Sequence, residues 1–132
     1  MCDIRTKIKS AKESIILIDD LVDELTIELI EEVKSLSSIV KIFSKNRAYI
    51  DVRNIKRRKN FKAGFSYYQT SEFQDRYILI DGKFLYRVTR PLKDNNRRRF
   101  YYIRVMGDKE LIRVRKSCAQ CELNAARAYR HF

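Results

Sequence analysis

A continuous aliphatic run, Ile15-Ile16-Leu17-Ile18, is followed by Asp19-Asp20, a helical stretch and a second β-branched run from Ile39 to Phe43. This succession limits the fold more than any other feature of the chain. An unbroken apolar run of this kind reads as a strand buried on both faces. Asp23 stands where a helix N-cap is needed, and Leu25, Leu29, Ile30 and Val33 recur at the spacing of one helical face through about Ser35. A strand, a helix and a strand over roughly 30 residues make a βαβ unit, which implies parallel strands and a right-handed crossover.

The remainder follows a different pattern. Residues 3–13, with Asp3, Ile4, Ile8 and Ala11, read as a short opening helix. Residues 47–60 are ambiguous, a helix being one reading, and end in Lys56-Arg57-Arg58-Lys59. Phe65 to Thr70 reads as a strand, and Tyr77 to Ile80 and Phe84 to Thr89 as two more around Asp81-Gly82-Lys83. Asp-Gly there supports the positive φ a tight hairpin requires. A polar loop from Pro91 to Asn96, a strand from Phe100 to Met106 and a long helix from Asp108 to about Arg130 complete the chain. With no Pro/Gly/Ser linker and no repeat, one domain over residues 1–132 is expected. Its class is α/β, a mixed β-sheet sandwiched by helices.

Apolar residues at 45% and charged residues at 35% exclude both a disordered chain and a membrane-embedded one. The longest apolar run falls far short of the ~20 residues a bilayer requires. No signal-like apolar segment opens the chain, so a cytoplasmic location is expected. Of three cysteines, Cys118 and Cys121 form a C-x-x-C. They also belong to a helical stripe of Leu111, Val114, Cys118, Cys121, Ala125, Ala128 and Phe132, where a thiol packs as a small hydrophobe. Cys2 and His131, the other candidate zinc ligands, lie near the chain ends, and neither a metal nor another cofactor is expected.

Charge is distributed unevenly along the chain. Residues 1–40 hold five Lys/Arg against nine Asp/Glu, whereas residues 41–132 hold 24 against eight, and the whole carries +12. Such a field attracts polyanions, of which nucleic acid is the commonest inside cells. Two compact basic runs, Lys56-Arg57-Arg58-Lys59 and Arg97-Arg98-Arg99, each precede aromatic residues. Lys/Arg beside ring faces is the arrangement of proteins that track a single strand.

Residues 73–94 carry a resemblance. Gln74, Arg76 and Asp81 stand where the phospholipase D-like superfamily has the H-x-K motif and the aspartate that follows, and Tyr86 and Leu92-Lys93-Asp94 match its downstream wording. The segment from Ala11 to Ile30 is similar to the family's first strand and helix, so the resemblance spans residues 8 to 112. It implies a mixed sheet between helices and a phosphodiester-binding site. In the family the histidine attacks phosphorus, and a second histidine from another motif copy protonates the leaving oxygen. An amide such as Gln74 is neither base nor nucleophile. Thr89-Arg90-Pro91 replaces the family's small-residue segment, His131 occupies no motif position, and Ser71 is the nearest alternative nucleophile in sequence.

The expectation is therefore a domain that is not an enzyme and binds nucleic-acid phosphates with little base readout. Its contacts are expected from Arg76, Lys56, Arg57, Arg58, Lys59, Arg90, Lys93, Arg97, Arg98 and Arg99. Asp81 is expected either to orient Arg76 or to close the hairpin, and Arg76 has an alternative as an ion-pair partner of Asp75, Asp81 or Glu72. Single-motif family members pair, which implies a homodimer. The alternatives are a phosphodiesterase or nuclease with an altered site, and a regulatory or assembly module.

Overall fold

In the computed structural model the described residues are 4–35, 37–47, 50–88 and 102–130. The chain forms α1 (Ile4–Ser10), β1 (Ser14–Val22), α2 (Glu24–Val33), β2 (Ile39–Arg47), α3 (Val52–Arg57), a 3-10 turn (Lys59–Phe61), β3 (Phe65–Gln69), β4 (Tyr77–Ile80), β5 (Phe84–Val88), β6 (Tyr102–Arg104) and α4 (Asp108–Arg130). The strands make one mixed sheet in the order β3-β2-β1-β4-β5-β6. β1, β2 and β3 run parallel, and β4, β5 and β6 follow antiparallel.

The βαβ unit forms as its sequence dictates, with one extension. Asp19-Asp20 does not end β1, which continues to Val22 and pairs with β2 through Val22↔Arg47. Asp23 caps α2 by accepting from the backbone N–H groups of Leu25 and Thr26. The buried side of α2 carries Thr26, Ile27, Leu29 and Ile30, whereas Leu25 is exposed. Position 25 points away because it lies about 200° around the helix from Ile27.

Alternation along the strands feeds two separate cores. On one face Ile15, Leu17, Val40, Ile42, Ile78 and Ile80 pack with Ile8 of α1, Ile27 and Ile30 of α2 and Ile55 of α3. On the other, Ile18, Phe43, Tyr77, Leu79 and Leu85 pack with Val114 and Cys118 of α4. The apolar stripe of α4 meets the sheet only as far as Cys121. Past that point Leu123, Ala125 and Ala128 are exposed, and Phe132 lies outside the described residues.

The β4–β5 turn spans three residues between paired Ile80 and Phe84, with Asp81 at φ 56° and Gly82 at φ 68° and the Lys83 N–H donating to the Ile80 carbonyl at 3.0 Å. Asp81 then does a second task. Its Oδ1 accepts from the backbone N–H groups of Glu13 at 2.7 Å and of Lys12 and Ser14 at 3.1 Å. Burial pushes this carboxyl up, but the three N–H donors outweigh it and hold the pKa below the ordinary Asp value. A depressed carboxyl stabilises the fold above the ordinary pKa and loses that contribution as pH falls through the folded value. Asp81→Ala is therefore expected to cost about 1–2 kcal/mol at neutral pH, the range for losing a carboxylate that caps backbone N–H groups. Urea unfolding at pH 7 and again at pH 3 measures this, and the two proteins should differ much less at the lower pH.

Candidate functional site

Antiparallel pairing of β4 with β1 runs Ile15↔Ile80 to Ile18↔Tyr77, so the residue before Tyr77 falls beside Asp19. Arg76 occupies that place. Its Nε stands 3.3 Å from Asp19 Oδ1, and its Nη2 donates to Asp20 Oδ2 at 2.6 Å. The Asp19 side chain is buried, at 1% exposure, so the guanidinium neutralises a charge withdrawn from water. The alternative pairing considered for Arg76 thus has different partners from Asp75, Asp81 or Glu72. Asp75 lies in a bend before β4, and its Oδ2 stands 3.4 Å from Tyr77 Oη. Asp81 lies five residues along β4, roughly 17 Å away, so it closes the hairpin and does not orient Arg76.

Beside this pair a small recess is lined by Asp19, Asp20, Asp75 and Lys45, with Phe43, Phe73 and Thr70. With Arg76 included, three carboxylates meet two cations there. The place that the motif assigns to phosphate is not a concentrated positive site. Among the described residues no three His, Cys, Asp or Glu side chains gather to hold a metal ion.

A second polar group sits one residue further along. Tyr77, buried at 1% exposure, donates its phenol O–H to Glu110 of α4. Arg87, the cross-strand partner of Tyr77, binds the same carboxylate at 2.9 Å, and Arg113 donates to Tyr77 Oη at 3.0 Å. Burial first, and then the Glu110 acceptor, push the Tyr77 phenol up. The Tyr77 hydrogen bond holds Glu110 below the usual carboxylate range against the opposing effect of burial, with help from Arg87 and Arg113. These groups anchor the start of α4 to the sheet. Neither they nor Asp19 and Asp20 were signalled by the motif. Register counting from the Asp81 turn would have located both.

The expected contact residues are dispersed. Lys56, Arg57 and Lys59 are exposed on α3 and the turn after it. Arg58 faces α2 instead, 2.5 Å from Glu24 and 3.7 Å from Glu31, and those carboxylates raise its pKa. Lys34 secures this neighbourhood by donating to the carbonyls of Ser35 at 2.7 Å and of Asn60, with its ammonium 5.4 Å from the Phe61 ring centre. Arg90, Lys93, Arg97, Arg98 and Arg99 lie outside the described residues. Gln74 is exposed. Cys118 is buried and its thiol is pushed up to about 12, chiefly by desolvation, while Cys121 donates to Thr70 Oγ1 at 3.4 Å.

Removing Arg76 strands the buried Asp19 charge. Arg76→Ala is expected to cost about 2–3 kcal/mol, below the range for a fully buried pair because Arg76 is partly exposed. In an Asp19→Asn background the same change should cost less than about 1 kcal/mol, and a denaturation double-mutant cycle reads the difference.

No protein-family model matches this sequence, and no curated protein matches it either. Among solved structures, NucT from Helicobacter pylori matches with a TM-score of 0.58 at 12% identity, over 89% of this chain and 84% of that one. The chain therefore shares the fold of that protein. NucT is a nuclease, and this corrects the expectation that the chain is not an enzyme. A nuclease is built on this fold, so the fold alone does not exclude an enzyme.

Proposed function

We propose that residues 1–132 form a single phospholipase D-like domain, a sheet sandwiched by helices, that binds nucleic-acid phosphates through a basic surface in an intracellular setting. The observation that carries this reading is the state of the cations on and after α3. Arg53, Lys56, Arg57, Lys59 and Lys62 are all exposed. Among the described residues, only Arg58 in this stretch meets a carboxylate. Exposed, unneutralised Lys and Arg at close intervals on one short helix and turn are what a polyanion's phosphates require. Arg90, Lys93 and Arg97-Arg98-Arg99 belong to the same reading by their charge. Arg76 and Arg58 contribute less, since each spends its fork on two carboxylates of the acidic first forty residues. Among the described residues no helix is long and apolar enough to cross a membrane.

Binding of a labelled single strand, followed by anisotropy against salt, tests the reading. Affinity should fall linearly on log–log axes, and Lys56→Ala, Arg57→Ala and Lys59→Ala together should flatten the slope by about two to three units. Absence of binding at about 50 mM salt overturns it. A second reading, phosphodiester cleavage by an altered site, is favoured by the fold shared with a nuclease. Under it the bound strand is cut, and the cutting is lost with Arg76→Ala while binding persists. A strand recovered intact assigns binding alone.

A symmetric homodimer belongs to the same proposal. Met106 (78% exposed), Ile112 and Leu123 stand in water on and just before α4, apolar surface that a second copy would cover. Light scattering at micromolar concentration should give twice the 15.8 kDa chain mass, and a value near one chain refutes the pairing.

A further inference from the structure

A second polar hollow adjoins the recess beside Asp19 and Asp20. It is a groove of about 640 Å³ between the edge strand β3 and the outer half of α4. Tyr68, Gln69 and Thr70 form one wall, and Lys116, Gln120 and Asn124 stand on the other. In a chain of +12 the groove is mainly amide, hydroxyl and aromatic. Its volume is within the range of sites that hold a small organic molecule.

Its amides are already arranged with respect to each other. Gln120 Nε2 donates to Asn124 Oδ1 at 2.8 Å, one turn apart on α4. That bond uses one donor site and one acceptor, and leaves Gln120 Oε1 as an acceptor close to the Asn124 amide donors. Exchange of the two amide orientations leaves the same complement. A donor beside an acceptor is what the edge of every nucleobase offers, and Asn and Gln are the side chains that read such edges. Tyr68 adds an aromatic wall, held in place by stacking on Phe43 with ring centres 4.9 Å apart. Thr70 lines this groove and also the recess beside Asp19 and Asp20, so the two hollows meet.

We propose that the β3–α4 groove is a nucleobase subsite, which takes an unpaired base of a strand whose phosphates lie on the basic surface. This inference rests on the nucleic-acid reading above and adds base contact to it. Phosphate contacts alone treat every polyanion alike, whereas a base subsite separates a strand with bases from one without.

The test compares a short single-stranded oligonucleotide with an abasic one of equal length and charge, by anisotropy on the full chain. The intact protein should bind the base-bearing strand about tenfold more tightly, the scale of one base contact. Gln120→Ala with Asn124→Ala should bring that ratio towards one and leave abasic affinity and salt slope unchanged. Both positions are exposed on a helix that alanine favours, so the fold persists. Equal binding of the two strands by the intact protein, or a ratio that the double variant does not move, overturns the subsite. If neither strand binds, the nucleic-acid reading fails, and titration with nucleoside monophosphates then decides the groove. Shifts of the Gln120 and Asn124 side-chain amide signals retain it, and unmoved signals at millimolar ligand overturn it.

Discussion

One carboxylate holds the frame on which the rest depends. Asp81 collects the backbone N–H groups of Lys12, Glu13 and Ser14, and so fastens the β4–β5 turn to the beginning of β1. Lys12 and Glu13 precede the first rung of the sheet, where the backbone would otherwise need water or another partner. Fixing that end fixes the register, since a slip of one residue along β4 would turn Ile78 and Ile80 out of their core. The other end of the same strands then has no freedom. Arg76 must arrive beside Asp19, and Tyr77 must face α4, where Glu110 receives it. Two polar constellations on opposite faces of one strand therefore follow from a turn about 17 Å away.

The charge asymmetry of the sequence has a structural counterpart. Four acidic side chains of the first forty residues meet individual cations from the basic remainder. Asp19 and Asp20 hold Arg76, and Glu24 and Glu31 hold Arg58. Arginine suits both places, because a planar fork can satisfy two carboxylates at once and a lysine ammonium is a single point. These pairs fasten β4 to β1 and the α3 turn to α2. Cations not used in this way remain on the surface. The net charge of +12 is thus a poor guide to which residues meet a ligand. Being exposed and unpaired is the better criterion, and it separates Lys56, Arg57 and Lys59 from Arg58 within a run of four.

Most of the fold was legible in the sequence because its signals are local. The aliphatic runs, the Asp23 cap, the Asp81-Gly82 turn and the long periodicity of α4 each specify a structure within a few residues of themselves. Errors arose where a local signal met a tertiary one. Asp19-Asp20 reads as a strand end by composition, yet β1 continues because β2 offers a partner and Arg76 neutralises the charge. Leu25 has the right hydropathy and the wrong angle for the core. The site was less legible. The Asp20 partner of Arg76 lies 56 residues away in sequence, and the neighbouring carboxylate, Asp75, stands by Tyr77 instead. Proximity in sequence is a weak guide on a strand, where successive side chains face opposite sides.

The positions that carry the resemblance have a charge balance of their own. The fold still delivers a guanidinium at position 76 and a carboxylate at position 81, each at its place in the register. What surrounds the guanidinium has changed its task, since Asp19 and Asp20 meet it before any phosphate can. A phosphate arriving at Arg76 would compete with two fixed carboxylates and feel the repulsion of Asp75 in the same recess. Attraction for a polyanion must then come from cations that stand alone, and discrimination from groups that carry no charge. The described residues place exposed Lys and Arg on and after α3, and amides and hydroxyls between β3 and α4. β3 begins soon after the α3 turn and ends at the amide groove, so one short connection links the two surfaces. Under the proposed function, a bound strand would use that connection rather than the motif positions.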